Sequence, residues 1–165
     1  MQTPSIVAQL LQLLAAGLLL ISFAMLSARR TQRLITLFAW QGAILFLSTF
    51  LVAYSSGLRE PYYSAALTLI LKVITLPLIL HRLIHKLGAQ WDNEPLVNTP
   101  TTMLVGLVLV IFAFGLARPI TMLATTVTRH NIGIALSVIL LAFLMMITRR
   151  KAISQVIGFL AMENG

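Results

Sequence analysis

A lysine and a glutamate stand where this sequence is otherwise almost free of charge. Lys72 lies in SAALTLILKVITLPLIL, with eight uncharged residues on either side of it. Glu163 lies in KAISQVIGFLAMENG, twelve residues after Lys151. A charge near the middle of a membrane costs about 2.5–3.5 kcal/mol on insertion scales, so it faces protein or water and reads by default as functional. Both side chains can hold and release a proton, which is what a proton relay needs. At a rise of 1.5 Å per residue, Glu163 lies about 18 Å from Lys151, just past the midplane of a core about 30 Å thick. The depths of Lys72 and Glu163 permit contact.

Polar neighbours support this relay reading. Ser64, Thr68, Lys72 and Thr75 follow steps of four, four and three, which place them on one stripe of a helix. Pro77 has no N–H to offer the carbonyl of Val73, so a free acceptor and a kink are expected beside Lys72. Gln41 is a further polar group inside an apolar run. The competing readings are structural. Lys72 would then pair with a carboxylate of a neighbouring subunit, and Glu163 would be a polar residue at the end of an incomplete helix.

Other chemistry is poorly represented. His81 and His85 share a helical face beside Arg82 and Lys86, but no third ligand is near in sequence, so a basic rim is preferred and no metal site is assigned. The segment WDNEPL, with Trp91, Asp92 and Glu94, reads as a turn with an interfacial tryptophan. No glycine-rich phosphate loop, nucleophile–base set or dinucleotide fingerprint occurs. With no cysteine in the chain, disulfides and thiolate-ligated metals are excluded. The expectation is a chain with no catalytic residues and no cofactor of its own.

The elements that must position these residues are helices in a bilayer. Hydrophobic residues make up 59% of the chain and charged residues 10%, and several uncharged runs exceed the length needed to span a membrane. The net charge of +8 does not point to nucleic acid, because the cations gather at the ends of apolar runs. MQTPSIVAQL has no leading cation, so the first run reads as a retained helix rather than a secretory signal. The expected fold is an all-α polytopic membrane bundle, a single integral membrane domain over 1–165. Its full spans are expected at roughly 5–27, 34–54, 64–84, 101–117 and 131–148, with part of a sixth from about 152. Arg118-Pro119 is expected to interrupt the fourth span, and 120–130 is expected to be an outer connection. Arg29, Arg30, Arg33, Arg82, Lys86, Arg149, Arg150 and Lys151 fall on one side, and Arg59, Arg118 and Arg129 on the other. The positive-inside rule then puts the N-terminus outside. The sixth helix is short for a span, so the chain is expected to continue beyond Gly165.

A faint internal repeat links 25–42 with 146–165. Shifting by 122 residues lays Glu163 over Gln41, Ala161 over Ala39 and Lys151 over Arg29. Internal repeats are common in membrane transport folds.

LAFLMMITRRKAISQVIGFLAMENG resembles the chain-4L-type subunit of complex I and its relatives in multisubunit cation/proton antiporters. Arg149, Arg150, Ile157, Gly158, Asn164 and Gly165 carry the match. That family places its glutamate at the position of Leu160, whereas this chain has Glu163, nearly one turn later. A second glutamate of that family would lie beyond Gly165. The chain as a whole, through its extra N-terminal helices, LKVITLPLIL and RRKAISQVIGFLAMENG, resembles hydrogenase-4 component E of formate hydrogenlyase-type complexes. The resemblance implies a non-catalytic subunit in a bacterial or archaeal cytoplasmic (inner) membrane, contributing to proton or sodium translocation. It also implies antiporter-like membrane subunits and a peripheral hydrogenase module as partners, with nickel–iron and iron–sulfur centres in those chains. An antiporter subunit and a structural scaffold are the alternatives.

Overall fold

In a computed structural model, residues 6–56, 60–87, 98–121 and 126–165 are described. The turn segment WDNEPL lies outside them, as do residues 57–59 and 122–125. The helices are α1 (Ile6–Ser27), α2 (Thr31–Ser56), α3 (Glu60–Thr68), α4 (Leu76–Leu87), α5 (Thr99–Thr121), α6 (Thr126–Thr148) and α7 (Ala152–Glu163). A π-helical segment, Leu69–Thr75, joins α3 to α4, so that Tyr62–Lys86 runs as one apolar rod. Five helical rods are long and apolar enough to cross a membrane, and α7 is a shorter apolar helix. The protein is therefore an all-α, polytopic membrane bundle of five full spans and one shorter apolar helix.

Composition explains why the bundle is apolar outside as well as inside. Lipid tails are as apolar as leucine, so spanning helices gain little from hiding their side chains and need only satisfy their backbones. Leu13, Leu20, Trp40, Leu104, Val108, Ile111 and Phe159 accordingly face outward. The interior centres on Met25, Leu34, Phe38, Leu141, Met145, Ile157 and Ala161, from α1, α2, α6 and α7. α5 packs on α6 and α1, while the α3–π–α4 rod packs on α2.

Glycines allow close approach of the helices, and two of them bear on the site. A Cβ on Gly158 would sit 2.8 Å from Met146 Cγ, so glycine lets α7 press against α6. A Cβ on Gly42 would lie 3.3 Å from Val73 Cγ2 and 3.4 Å from Lys72 Cβ, so glycine brings the π segment against α2.

Three expectations need correction. Arg118-Pro119 does not interrupt the fourth span, because α5 continues through Pro119 to Thr121. Its ring faces the carbonyl of the residue four before it. That residue is Gly115, and the helix ends two residues after the proline, so the lost bond falls in its final turn. The outer connection is shorter than expected, since α6 begins at Thr126 rather than near 131. The stripe of Ser64, Thr68, Lys72 and Thr75 is also broken. It assumed α-helical spacing, and the π segment widens the turn that carries Lys72.

Candidate functional site

The π segment arises where Pro77 would leave an α-helical ladder incomplete. Here Leu76 donates its backbone N–H to the carbonyl of Leu71, five residues back. Thr75 does the same with its side chain, its hydroxyl donating to Ile70 O at 2.7 Å. The wide turn is thus stitched by i→i−5 bonds, and Pro77 falls in the first turn of α4, where a missing N–H costs little. Single-turn π insertions inside longer helices frequently mark functional sites.

From this turn Lys72 reaches across the bundle. Its ammonium donates to Asn164 Oδ1 at 2.8 Å and lies 3.4 Å from Glu163 Oε1. Asn164 Nδ2 donates to Gln41 Oε1 at 3.3 Å, and Gln41 Nε2 donates to Ser22 Oγ at 3.3 Å. The Ser22 hydroxyl then donates to Leu18 O at 2.8 Å. Every donor in this series points the same way, from the ammonium to a backbone carbonyl of α1. Aligned hydrogen bonds of this kind polarise one another in a low-dielectric interior. Charge enters the series only at its head. The π segment supplies the cation, while α1, α2 and the end of α7 supply hydroxyl and amide groups.

Burial separates the two halves of the site. Gln41 is 0% exposed, and Ser22 and Asn164 are 6% exposed. The Lys72 side chain is 21% exposed and that of Glu163 60%. The amide–hydroxyl chain is interior, and the ion pair opens onto the outer surface of the bundle. An amide does not readily take up and pass on a proton, so the groups able to exchange one are Lys72 and Glu163. Gln41, Asn164 and Ser22 orient the ammonium.

The sequence-level candidates are thus only partly brought together. Lys72, Glu163 and Gln41 belong to one network. Thr68 donates to Ser64 O at 2.9 Å, and Thr75 likewise turns back onto its own helix. Pro77 acts through the backbone. Asn164, the hub of the network, stood out in the sequence only as part of a family resemblance, and Ser22 did not stand out at all. A signal for Ser22 did exist, since it is a lone hydroxyl in a long apolar run.

A second polar feature lies at the turn between α6 and α7. Arg149 is 3% exposed, and its Nη2 donates to Ala28 O at 2.7 Å and Leu26 O at 2.9 Å, with Met25 O at 3.5 Å. It caps the carbonyls that the end of α1 leaves without helical partners. Gln155 Nε2 in turn donates to Arg149 O at 2.8 Å. Burial lowers the Arg149 pKa from its ordinary value, although a guanidinium stays protonated in proteins. The neighbouring Arg150 is exposed. His81 and His85 stack edge to face with ring centroids 4.9 Å apart, and no metal-binding group of three ligands occurs among the described residues.

Fold and site together define a multi-pass membrane protein with an ion pair held by an interior polar network. No protein-family model matches the chain, and no solved structure matches it. It is 34% identical over 152 residues to the uncharacterized protein Rv0085 of Mycobacterium tuberculosis strain H37Rv, an alignment covering 92% of this chain and 69% of that protein. The chain belongs to the same family as Rv0085.

Proposed function

We propose that this protein is a non-catalytic membrane subunit of a respiratory hydrogenase-like complex, contributing to proton or sodium translocation coupled to redox chemistry. The observation that carries the reading is the Lys72–Glu163 pair, fixed at 3.4 Å and buttressed through Asn164 by Gln41 and Ser22. A purely structural ion pair needs only its two charges. This one has a dedicated amide holding the ammonium from the buried side, and leaves the carboxylate accessible from the other.

In such a subunit, transfer of a proton from the Lys72 ammonium to the Glu163 carboxylate removes both charges at once. The reverse transfer restores the pair. An approaching cation or a conformational change in a neighbouring subunit would bias this exchange, because the Coulomb attraction is strong in a poorly screened interior. Asn164 keeps the amine in place in either state through its carbonyl oxygen. Redox centres of nickel–iron and iron–sulfur type belong, in this reading, to partner chains. Antiporter-like membrane subunits and a peripheral hydrogenase module would be those partners, in a bacterial cytoplasmic membrane with the N-terminus outside.

The same ion pair fits a second reading, a subunit of a multisubunit cation/proton antiporter without redox chemistry. Affinity purification of the tagged chain in mild detergent, followed by mass spectrometry, separates the readings. Hydrogenase large and small subunits are the expected companions. Antiporter subunits alone would establish the second reading, and a chain that purifies by itself would remove both.

A further inference from the structure

We propose that the basic end of the bundle binds an anionic phospholipid, with the headgroup phosphate held among Arg29, Arg30 and Arg33. A cavity of about 870 Å³ opens there, lined by these three arginines, Thr36 and Thr99, with Ala24 and Leu37 as apolar wall. It lies where α1 ends and where α2 and α5 begin. Three guanidiniums converge on one space, and Arg29, Arg30 and Arg33 are each exposed. Among the described residues no carboxylate lies within ion-pair distance of them.

The inventory of acids explains why. The chain has four, Glu60, Asp92, Glu94 and Glu163. Glu163 is committed to Lys72, and Glu60 begins α3, at the opposite end of the bundle. Among the described residues the arginine cluster is thus a concentration of like charge with no carboxylate partner. Guanidiniums present forked donors that match phosphate oxygens, and the Thr99 hydroxyl adds a neutral one. The apolar wall selects a phosphate with acyl chains attached over a free one. Basic pockets between spanning helices at one membrane face are where anionic headgroups bind.

The test uses the full protein in lipid nanodiscs and detergent, with palmitoyl-oleoyl phosphatidylglycerol as the probe and the matching phosphatidylcholine as comparison. Native mass spectrometry is expected to show one phosphatidylglycerol retained and no phosphatidylcholine. Arg29→Gln/Arg30→Gln/Arg33→Gln is expected to weaken retention by at least about tenfold, since each cation near the surface contributes about fivefold. Arg150→Gln, which removes an exposed charge at the same end but off the cavity, is expected to retain lipid as the unaltered protein does. If the triple variant does not fold, Arg30→Gln alone should still lose about fivefold. Equal retention of the two lipids overturns the proposal, and so does an equal loss with Arg150→Gln. Retention that occurs only in an Asp92→Asn/Glu94→Gln variant overturns it as well, because the loop acids would then be the natural occupants.

Discussion

At the scale of single residues, the distinction that matters is between groups that can exchange a proton and groups that only orient. Glu163→Gln keeps the size and a carbonyl acceptor but cannot ionise, and Glu163→Asp keeps ionisation with a shorter reach. In the relay reading, the Gln variant is expected to assemble with translocation reduced at least tenfold, and the Asp variant to keep a measurable part. Lys72→Met, which removes the charge at similar length, should behave like the Gln variant. Ion-to-electron ratios in reconstituted vesicles measure both, and normal pumping by Glu163→Gln would remove this residue from the pathway. Lys72 and Glu163 were legible in the sequence because a charge among apolar residues is too costly to be there by accident. Asn164 was harder to see as the hub, since asparagine beside glycine also reads as an ordinary helix end. Arg149 and Arg150 are indistinguishable as sequence. One is buried on α1's carbonyls and the other exposed, a difference set by which direction the turn leaves α6.

At the scale of elements, the π segment decides where Lys72 points. Hydropathy located this rod well but could not reveal its internal widening, because periodicity arguments presume a constant turn. Pro77 was the visible trace, since the wide turn places it in the first turn of α4. The continuation through Pro119 is likewise local, since a proline two residues from a helix end need not break it. Gly42 offers a direct test of the segment's placement. In Gly42→Ala the new methyl lies at 3.3–3.4 Å from Val73 and Lys72, a contact that shifts of a few tenths of an ångström relieve. Gly42→Val adds two more methyls and must push the segment off α2, at about 1–3 kcal/mol for overpacking. The alanine variant is expected to translocate nearly normally. The valine variant should melt several degrees lower in detergent and lose most translocation. Equal activity of the two would mean that the seating of the π segment on α2 does not matter to function.

At the scale of the whole molecule, the alternation of spans puts the α1–α2 and α6–α7 turns at one end and the end of α2 at the other. Arg29, Arg30, Arg33, Arg149, Arg150 and Lys151 all cluster at the first end, which the positive-inside rule favours as the cytoplasmic one in the proposed orientation. The cysteine-free background makes this easy to check. In intact cells a membrane-impermeant maleimide is expected to label Ser55→Cys, and to leave Arg30→Cys and Arg150→Cys unlabelled until the membrane is opened. The reverse pattern would invert the topology. The Arg149 cap has a consequence for how the protein is made. The carbonyls of Leu26 and Ala28 wait for a guanidinium 123 and 121 residues later in the chain. At about 5–20 residues per second, that separation amounts to roughly 6–25 s of synthesis. Throughout that time the first hairpin sits in the membrane with the end of α1 uncapped and Gln41 lacking Asn164. The early half is thus completed only late, when α7 arrives and closes the core around Gln41.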